Sequence, residues 1–104
     1  MSERLTGPLL QAATLERLEA LFQGDERERV AATLFKRCGY SLSSDWDDSY
    51  DPLIERIRCA CLKLSGGTLE GLEDGLRLAR TDWRDLLVAA GFAEDESAHL
   101  AWCP

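Results

Sequence analysis

The sequence predicts an all-α protein, a compact bundle or orthogonal array of five to six short helices, with residues 1–104 forming a single helical domain. Apolar residues recur at intervals of three and four along most of the chain. Glycine, proline and capping residues divide this pattern into short segments. A sheet is not expected, because no run of alternating β-branched residues predicts a strand.

Two helices are predicted in the first third of the chain. Leu15, Leu18 and Phe22 lie at helical spacing within residues 8–22, and Gly24 can close this helix in a left-handed conformation. Residues 25–28 (DERE) resemble a capping box that begins the second helix. The apolar side of the second helix is expected to comprise Val30, Ala31, Leu34, Phe35 and Cys38.

The middle of the chain predicts two further helices. Asp51-Pro52 is a good helix start, with Asp as N-cap and Pro at the first helical position. One face of this helix carries Leu53, Ile54, Ile57, Cys61 and Leu64, and the other carries Arg56, Cys59 and Lys63. Thr68 is expected to cap the fourth helix. Gly71 and Gly75 each cost that helix about 1 kcal/mol relative to Ala, so we expect it to be short or closely packed.

The C-terminal part predicts two helices joined by a glycine turn. Thr81 or Asp82 is expected to cap the first, and Gly91 to follow its C-cap with Phe92 against Leu87 in a Schellman closure. The last helix is predicted over residues 94–102. This segment, residues 81–93 (TDWRDLLVAAGFA) followed by Ala98-His99 and Trp102, resembles the C-terminal segment of small uncharacterised bacterial helical proteins. The resemblance implies a bacterial cytoplasmic origin and no particular activity.

Composition narrows the functional classes. The formal net charge is −7, which argues against non-specific binding to nucleic acid or to an anionic membrane surface. Apolar runs are too short to span a bilayer, and the N-terminus lacks the pattern of a secretory signal, so a cytoplasmic location is expected. In that compartment the 4 cysteines are expected to be thiols.

The loop between the second and third helices is the main candidate for partner binding. It combines the carboxylates of Asp45, Asp47 and Asp48 with the aromatic rings of Trp46 and Tyr50. A calcium loop is excluded, since Tyr50 replaces the required glycine and an arginine, Arg56 or Arg58, stands at the closing position in either register. The loop could receive a basic or Arg-bearing partner. The alternative is a solvated connection whose Trp folds back as a lid on the core.

A metal or thiol site is the runner-up. His99 and Cys103 are four residues apart, so a continuous helix would direct both side chains the same way, and Cys38 and Cys61 could complete a tetrahedral set. The absence of a CxxC pair weakens this reading. Cysteine nucleophilic catalysis by Cys103, with His99 as base, is weaker still because Cys103 is the penultimate residue.

Two further arrangements occur in the C-terminal half of the chain. The last two predicted helices have helix-turn-helix spacing, but the second would bring Glu94, Asp95 and Glu96 to the phosphates of a DNA groove. Arg77, Arg80 and Arg84 form a cationic set for which a surface ion-pair network is favoured over an anion site.

No catalytic motif is present in the sequence. We therefore expect a non-enzymatic helical protein-interaction module without a cofactor, binding a protein partner or a second copy of itself.

Overall fold

The computed structural model describes residues 10–104. Helices α1 (Ala12–Leu21), α2 (Gly24–Arg37), α3 (Asp51–Ser65), α4 (Leu69–Ala90) and α5 (Ala98–Ala101) follow one another along the chain. Two 3₁₀ turns, Tyr40–Leu42 and Asp48–Tyr50, lie between α2 and α3. No strand occurs in this part of the chain, and the helices pack into a compact globule, so the predicted all-α fold is confirmed.

The centre of the fold is the antiparallel pair of α3 and α4, which pack together closely. A Cβ on Gly75 would lie only 3.4 Å from the Cα of Cys61, and one on Gly71 would overlap the carbonyl oxygen of Ser65. Gly71 therefore lets the backbones approach, whereas Gly75 leaves room for a Cβ in ordinary van der Waals contact; the close packing is the one of the two alternatives in the sequence that the structure shows. The spacing of Leu69, Leu72, Leu76 and Ala79 predicts one apolar stripe on this helix, and the structure buries Leu72, Leu76 and Ala79 and partly buries Leu69.

Helix α3 is more deeply enclosed than the sequence indicated. The apolar face was expected to be buried and the opposite face exposed, but Cys59 on the predicted polar face is as completely buried as Cys61 on the apolar one. The reason is that α1 and α5 cover the side of α3 that α4 leaves open. The prediction that Cys59 lies on the polar face is therefore wrong.

The ends of α4 follow the predicted chemistry. Thr68 Oγ1 accepts the backbone N–H of Gly71 at 3.0 Å. The helix breaks at Asp82, whose carboxylate accepts the N–H groups of Arg84 and Asp85 at 3.2 and 3.3 Å, as an N-cap does. Residues 69–90 are thus two helical segments that meet at a kink. A Schellman motif ends the second, because Phe92 N–H reaches the Leu87 carbonyl at 2.8 Å.

The first two helices depart from the prediction at their ends. Helix α1 begins at Ala12, and the part of the predicted helix before residue 10 lies outside the described residues. Gly24 has the expected left-handed φ of 60°, yet it opens α2, and no side chain caps that helix. The predicted capping box is therefore wrong, and Asp25 lies inside the first helical turn instead.

The last helix is much shorter than predicted. Residues 94–97 are turns and bends, and α5 is a single turn that begins at Ala98. Among residues 10–104 we find no helix that has both the length and the apolar character needed to cross a membrane.

Candidate functional site: an acidic and aromatic surface

The loop before α3 is built on a stack of aromatic rings. The rings of Trp46 and Tyr50 are nearly parallel, with centroids 5.2 Å apart, and Trp83 of α4 meets Trp46 edge-on at 5.5 Å. Trp46 is half-buried and packs against the core, whereas Tyr50 stays 37% exposed. Trp46 thus forms the lid on the core that the sequence allowed, and Tyr50 forms its outer surface.

The three aspartates of the loop point into solvent. Asp47 folds the loop locally, because its carboxylate accepts both the backbone N–H of Ser49 at 2.9 Å and the Ser49 hydroxyl at 2.5 Å. These two hydrogen bonds lower the pKa of Asp47, so it is charged at neutral pH. Asp45 and Asp48 are exposed, and none of the three forms an ion pair with a residue in the range 10–104.

Two more aromatic side chains extend this surface. Phe35 of α2 is 47% exposed and Tyr40 of the first 3₁₀ turn is 46% exposed. The Tyr40 hydroxyl donates to the carboxylate of Asp51, the residue after Tyr50, and this bond raises the pKa of Tyr40. Phe35 was expected in the core, but only its neighbours on the predicted stripe are buried.

A buried arginine supports the part of the surface that contains Phe35 and Tyr40. The Arg58 guanidinium lies 5.7 Å from the centroid of the Phe35 ring, and its Nε donates to the carbonyl of Cys38 at 2.5 Å. Burial lowers the pKa of Arg58. Gly39 packs against it, because a Cβ there would lie 2.7 Å from one guanidinium nitrogen and the arginine side chain would have to shift. The backbone between Phe35 and Tyr40 is therefore anchored from beneath.

We call this region the acidic aromatic surface. It consists of three exposed aromatic side chains, the exposed carboxylates of the loop and the partly covered ring of Trp46: Phe35, Tyr40, Asp45, Trp46, Asp47, Asp48 and Tyr50. The sequence identified all of these residues except Phe35 and Tyr40. No local signal marks Phe35 as exposed, since it lies four residues after Ala31, which is buried.

No family model matches the chain, and neither a curated protein nor a solved structure is significantly similar to it. The resemblance of residues 81–93 to small bacterial helical proteins stays a prediction.

His99 and Cys103 do not share a helix. Helix α5 ends at Ala101, and Trp102 has an extended backbone that leads Cys103 out to solvent. His99 is only 3% exposed; its Nε2 lies 3.3 Å from the Glu55 carboxylate, and its Nδ1 has no hydrogen-bond partner among the described residues. No group of three or more His, Cys, Asp or Glu side chains in residues 10–104 could hold a metal ion.

The other cysteines lie in the core and are free thiols. The fold does bring Cys38 and Cys61 together, and their hydrogen bond, together with burial, raises the pKa of Cys61 well above its usual value. Burial also raises the pKa of Cys59 to about 11. At neutral pH both groups are protonated, which makes them poor nucleophiles and poor metal ligands.

The structure lacks the second helix that a helix-turn-helix motif requires. Glu94, Asp95 and Glu96 are exposed, but they lie in the turns before α5 and not on a recognition helix. A one-turn helix cannot present a row of side chains along a DNA groove.

Proposed function

We propose that this protein is a helical protein-interaction module whose acidic aromatic surface binds a basic, arginine-bearing segment of another protein. One observation carries the proposal: the loop whose exposed carboxylates, Asp45, Asp47 and Asp48, have no cationic partner among residues 10–104 also holds the exposed ring of Tyr50. The exposed ring of Tyr40 is bonded to Asp51 at the end of the same loop. Arginine suits such a surface, because its guanidinium stacks on aromatic faces and pairs with carboxylates.

The rigidity of the surface supports the proposal. Asp47 is held by Ser49, the Tyr50 ring is stacked on Trp46, and Tyr40 is tied to Asp51. Side chains that are ordered before binding lose little conformational entropy when a partner arrives. Another exposed group of three carboxylates, at residues 94–96, differs from this surface because its segment contains no aromatic residue.

A second copy of the chain fits this surface less well. In a twofold dimer the same patch faces itself, so Asp45, Asp47 and Asp48 would oppose their own copies. Each protomer has a net charge of −7, which adds to the repulsion. We therefore expect a monomer at micromolar concentration in analytical ultracentrifugation. A wild-type dimer that the Tyr50→Ser variant converts to a monomer would overturn the choice of a basic partner.

The direct test is a titration with a nona-arginine peptide, followed by NMR chemical shifts at about 150 mM salt, where the Debye length is about 8 Å. The expected shifts are confined to residues 35–51. The triple variant Asp45→Asn, Asp47→Asn, Asp48→Asn should abolish them.

The chain supplies a matched control for charge. The variant Glu94→Gln, Asp95→Asn, Glu96→Gln removes the same number of exposed carboxylates from another turn. It should bind the peptide as tightly as the wild type. Equal weakening by both triple variants, or shifts spread over the whole acidic chain, would show non-specific charge attraction and refute the proposal.

A further inference from the structure

A separate cavity of about 270 Å³ lies between the end of α2 and the middle of α4. It is lined by three cations, a hydroxyl and two leucines: Lys36, Arg37, Ser41, Leu42, Leu76 and Arg80. Its carboxylate-free lining is notable in a chain with 19 acidic and 12 basic residues. The cations come from two helices that are far apart in sequence, so only the tertiary fold brings them to one cavity.

Most other cations of the described chain already have protein partners. Arg17, Arg58 and Lys63 donate to backbone carbonyls, and Arg77 pairs with Glu73 and Asp74. Lys36 and Arg80, by contrast, form neither an ion pair nor a side-chain hydrogen bond with any residue from 10 to 104. Both are exposed and line the cavity.

Arg37 is held in place without adding net charge. Its two terminal nitrogens each lie 2.8 Å from an oxygen of Glu73, in a bidentate pair. This pairing lowers the pKa of Glu73, so the carboxylate stays charged and balances Arg37. The uncompensated charge of the cavity therefore belongs to Lys36 and Arg80.

Helix dipoles offset this charge only in part. Lys36 lies in the last turn of α2 and Arg80 just before the break of α4 at Asp82, and each such helix end carries about half a negative charge. Two ends offset about one of the two unpaired positive charges. The Ser41 hydroxyl further reduces the negative potential, because it donates to the Lys36 carbonyl at 3.1 Å. The cavity keeps a net positive character.

The geometry points to this cavity as a binding site for a small phosphate-bearing ligand, clasped between Lys36 and Arg80 with Leu42 against its organic part. Arginine and lysine are the side chains that bind phosphate oxygens, and the volume is close to the lower limit for small-molecule sites. The inference does not depend on the acidic aromatic surface, because no residue of that surface lines the cavity.

Titration calorimetry with inorganic phosphate and with phenyl phosphate, at constant ionic strength, tests the site. We expect a Kd of about 1 mM or tighter for at least one of them. Tighter binding of phenyl phosphate would identify an organic phosphate as the ligand, and equal binding would identify the free ion; either result supports the site.

The variants Lys36→Gln and Arg80→Gln should each weaken binding about tenfold or more, the loss expected for one charge-assisted hydrogen bond. Arg29→Gln is the matched control, since Arg29 is an exposed cation of α2 that does not line the cavity. It should change Kd less than about twofold, because an exposed charge at that range is screened by salt. Absence of binding at about 10 mM of both phosphates, or equal weakening by all three variants, would overturn the inference.

Discussion

Arg17 joins α1 to the C-terminal segment through a hydrogen-bond arrangement that the sequence does not reveal. The side chain is 8% exposed, and its guanidinium donates to the carbonyls of His99, Leu100 and Trp102 at 3.0 to 3.1 Å, and to Ala13 at 2.9 Å. The first two acceptors are carbonyls of α5, and the carbonyl of His99 also accepts the backbone N–H of Trp102 at 3.4 Å. Arg17 therefore acts as the C-terminal cap of α5.

Replacing Arg17 by Met keeps most of the packing volume and removes every donor. Three cross-element bonds are lost, and the net value of one such bond is about 1 kcal/mol, with more for a charged donor. The nearest carboxylate, Glu16 at 3.8 Å, is mostly exposed and contributes little. We expect the Arg17→Met variant to lose about 3 kcal/mol of unfolding free energy.

Two measurements check this value. Urea denaturation followed by tryptophan fluorescence gives the global loss, and hydrogen exchange of the Leu100 and Trp102 amides gives the local release of α5. Arg17→Lys should lose an intermediate amount, because an ammonium group cannot reach carbonyls over the span of a guanidinium fork.

Arg27→Met is the control, since Arg27 is 45% exposed and its ion pair to Glu19 is long, at 3.8 Å. It should cost less than about 0.5 kcal/mol. The reasoning fails if Arg17→Met and Arg27→Met are equally stable and the amides of the C-terminal segment keep their protection.

Two other perturbations test the core. The pKa of Cys59 is raised from 9.0 to about 11, so the thiol ionises in the unfolded chain at a lower pH than in the folded one, and the unfolding free energy falls as pH rises through this window. Between pH 8 and pH 11 the wild type should lose about 2 kcal/mol more than Cys59→Ala, measured by urea denaturation at each pH. Parallel pH curves for the two proteins would contradict this. Gly71→Ala should destabilise by about 1–3 kcal/mol despite the better helix propensity of alanine, since its Cβ would overlap the Ser65 carbonyl. Gly75→Ala, with its nearest neighbour at 3.4 Å, should be close to neutral, and equal thermal stabilities of the two variants would refute the packing argument.

Local signals in the sequence predicted the features that depend on neighbouring residues. Thr68 and Asp82 cap helices because their short polar side chains reach backbone N–H groups two or three residues ahead. Gly91 ends α4 because glycine adopts its φ of 79° without steric cost. The spacing of apolar residues identified the core stripe of α4, because which residues share a helix face depends only on helix geometry.

The sequence predicted part of the candidate site. Asp47 and Tyr50 lie where the composition of the loop indicated, whereas Phe35 was assigned to the core. Its exposure depends on how far α2 is rotated against α3, and the position of Arg58 beneath it is set by the same packing. Periodicity cannot determine that rotation when an apolar residue borders the stripe.

The all-α fold class was thus determined by the sequence alone, since periodicity, caps and turns are properties of short segments. The sequence alone did not determine how many faces of each helix are buried. Cys59 and Arg17 are buried because α1, α3 and α5 meet, and His99 does not share a helix with Cys103 because α5 ends at Ala101. Lys36 and Arg80 share a cavity for the same reason. Such arrangements come from packing between segments distant in the chain, and a local pattern holds no information about them.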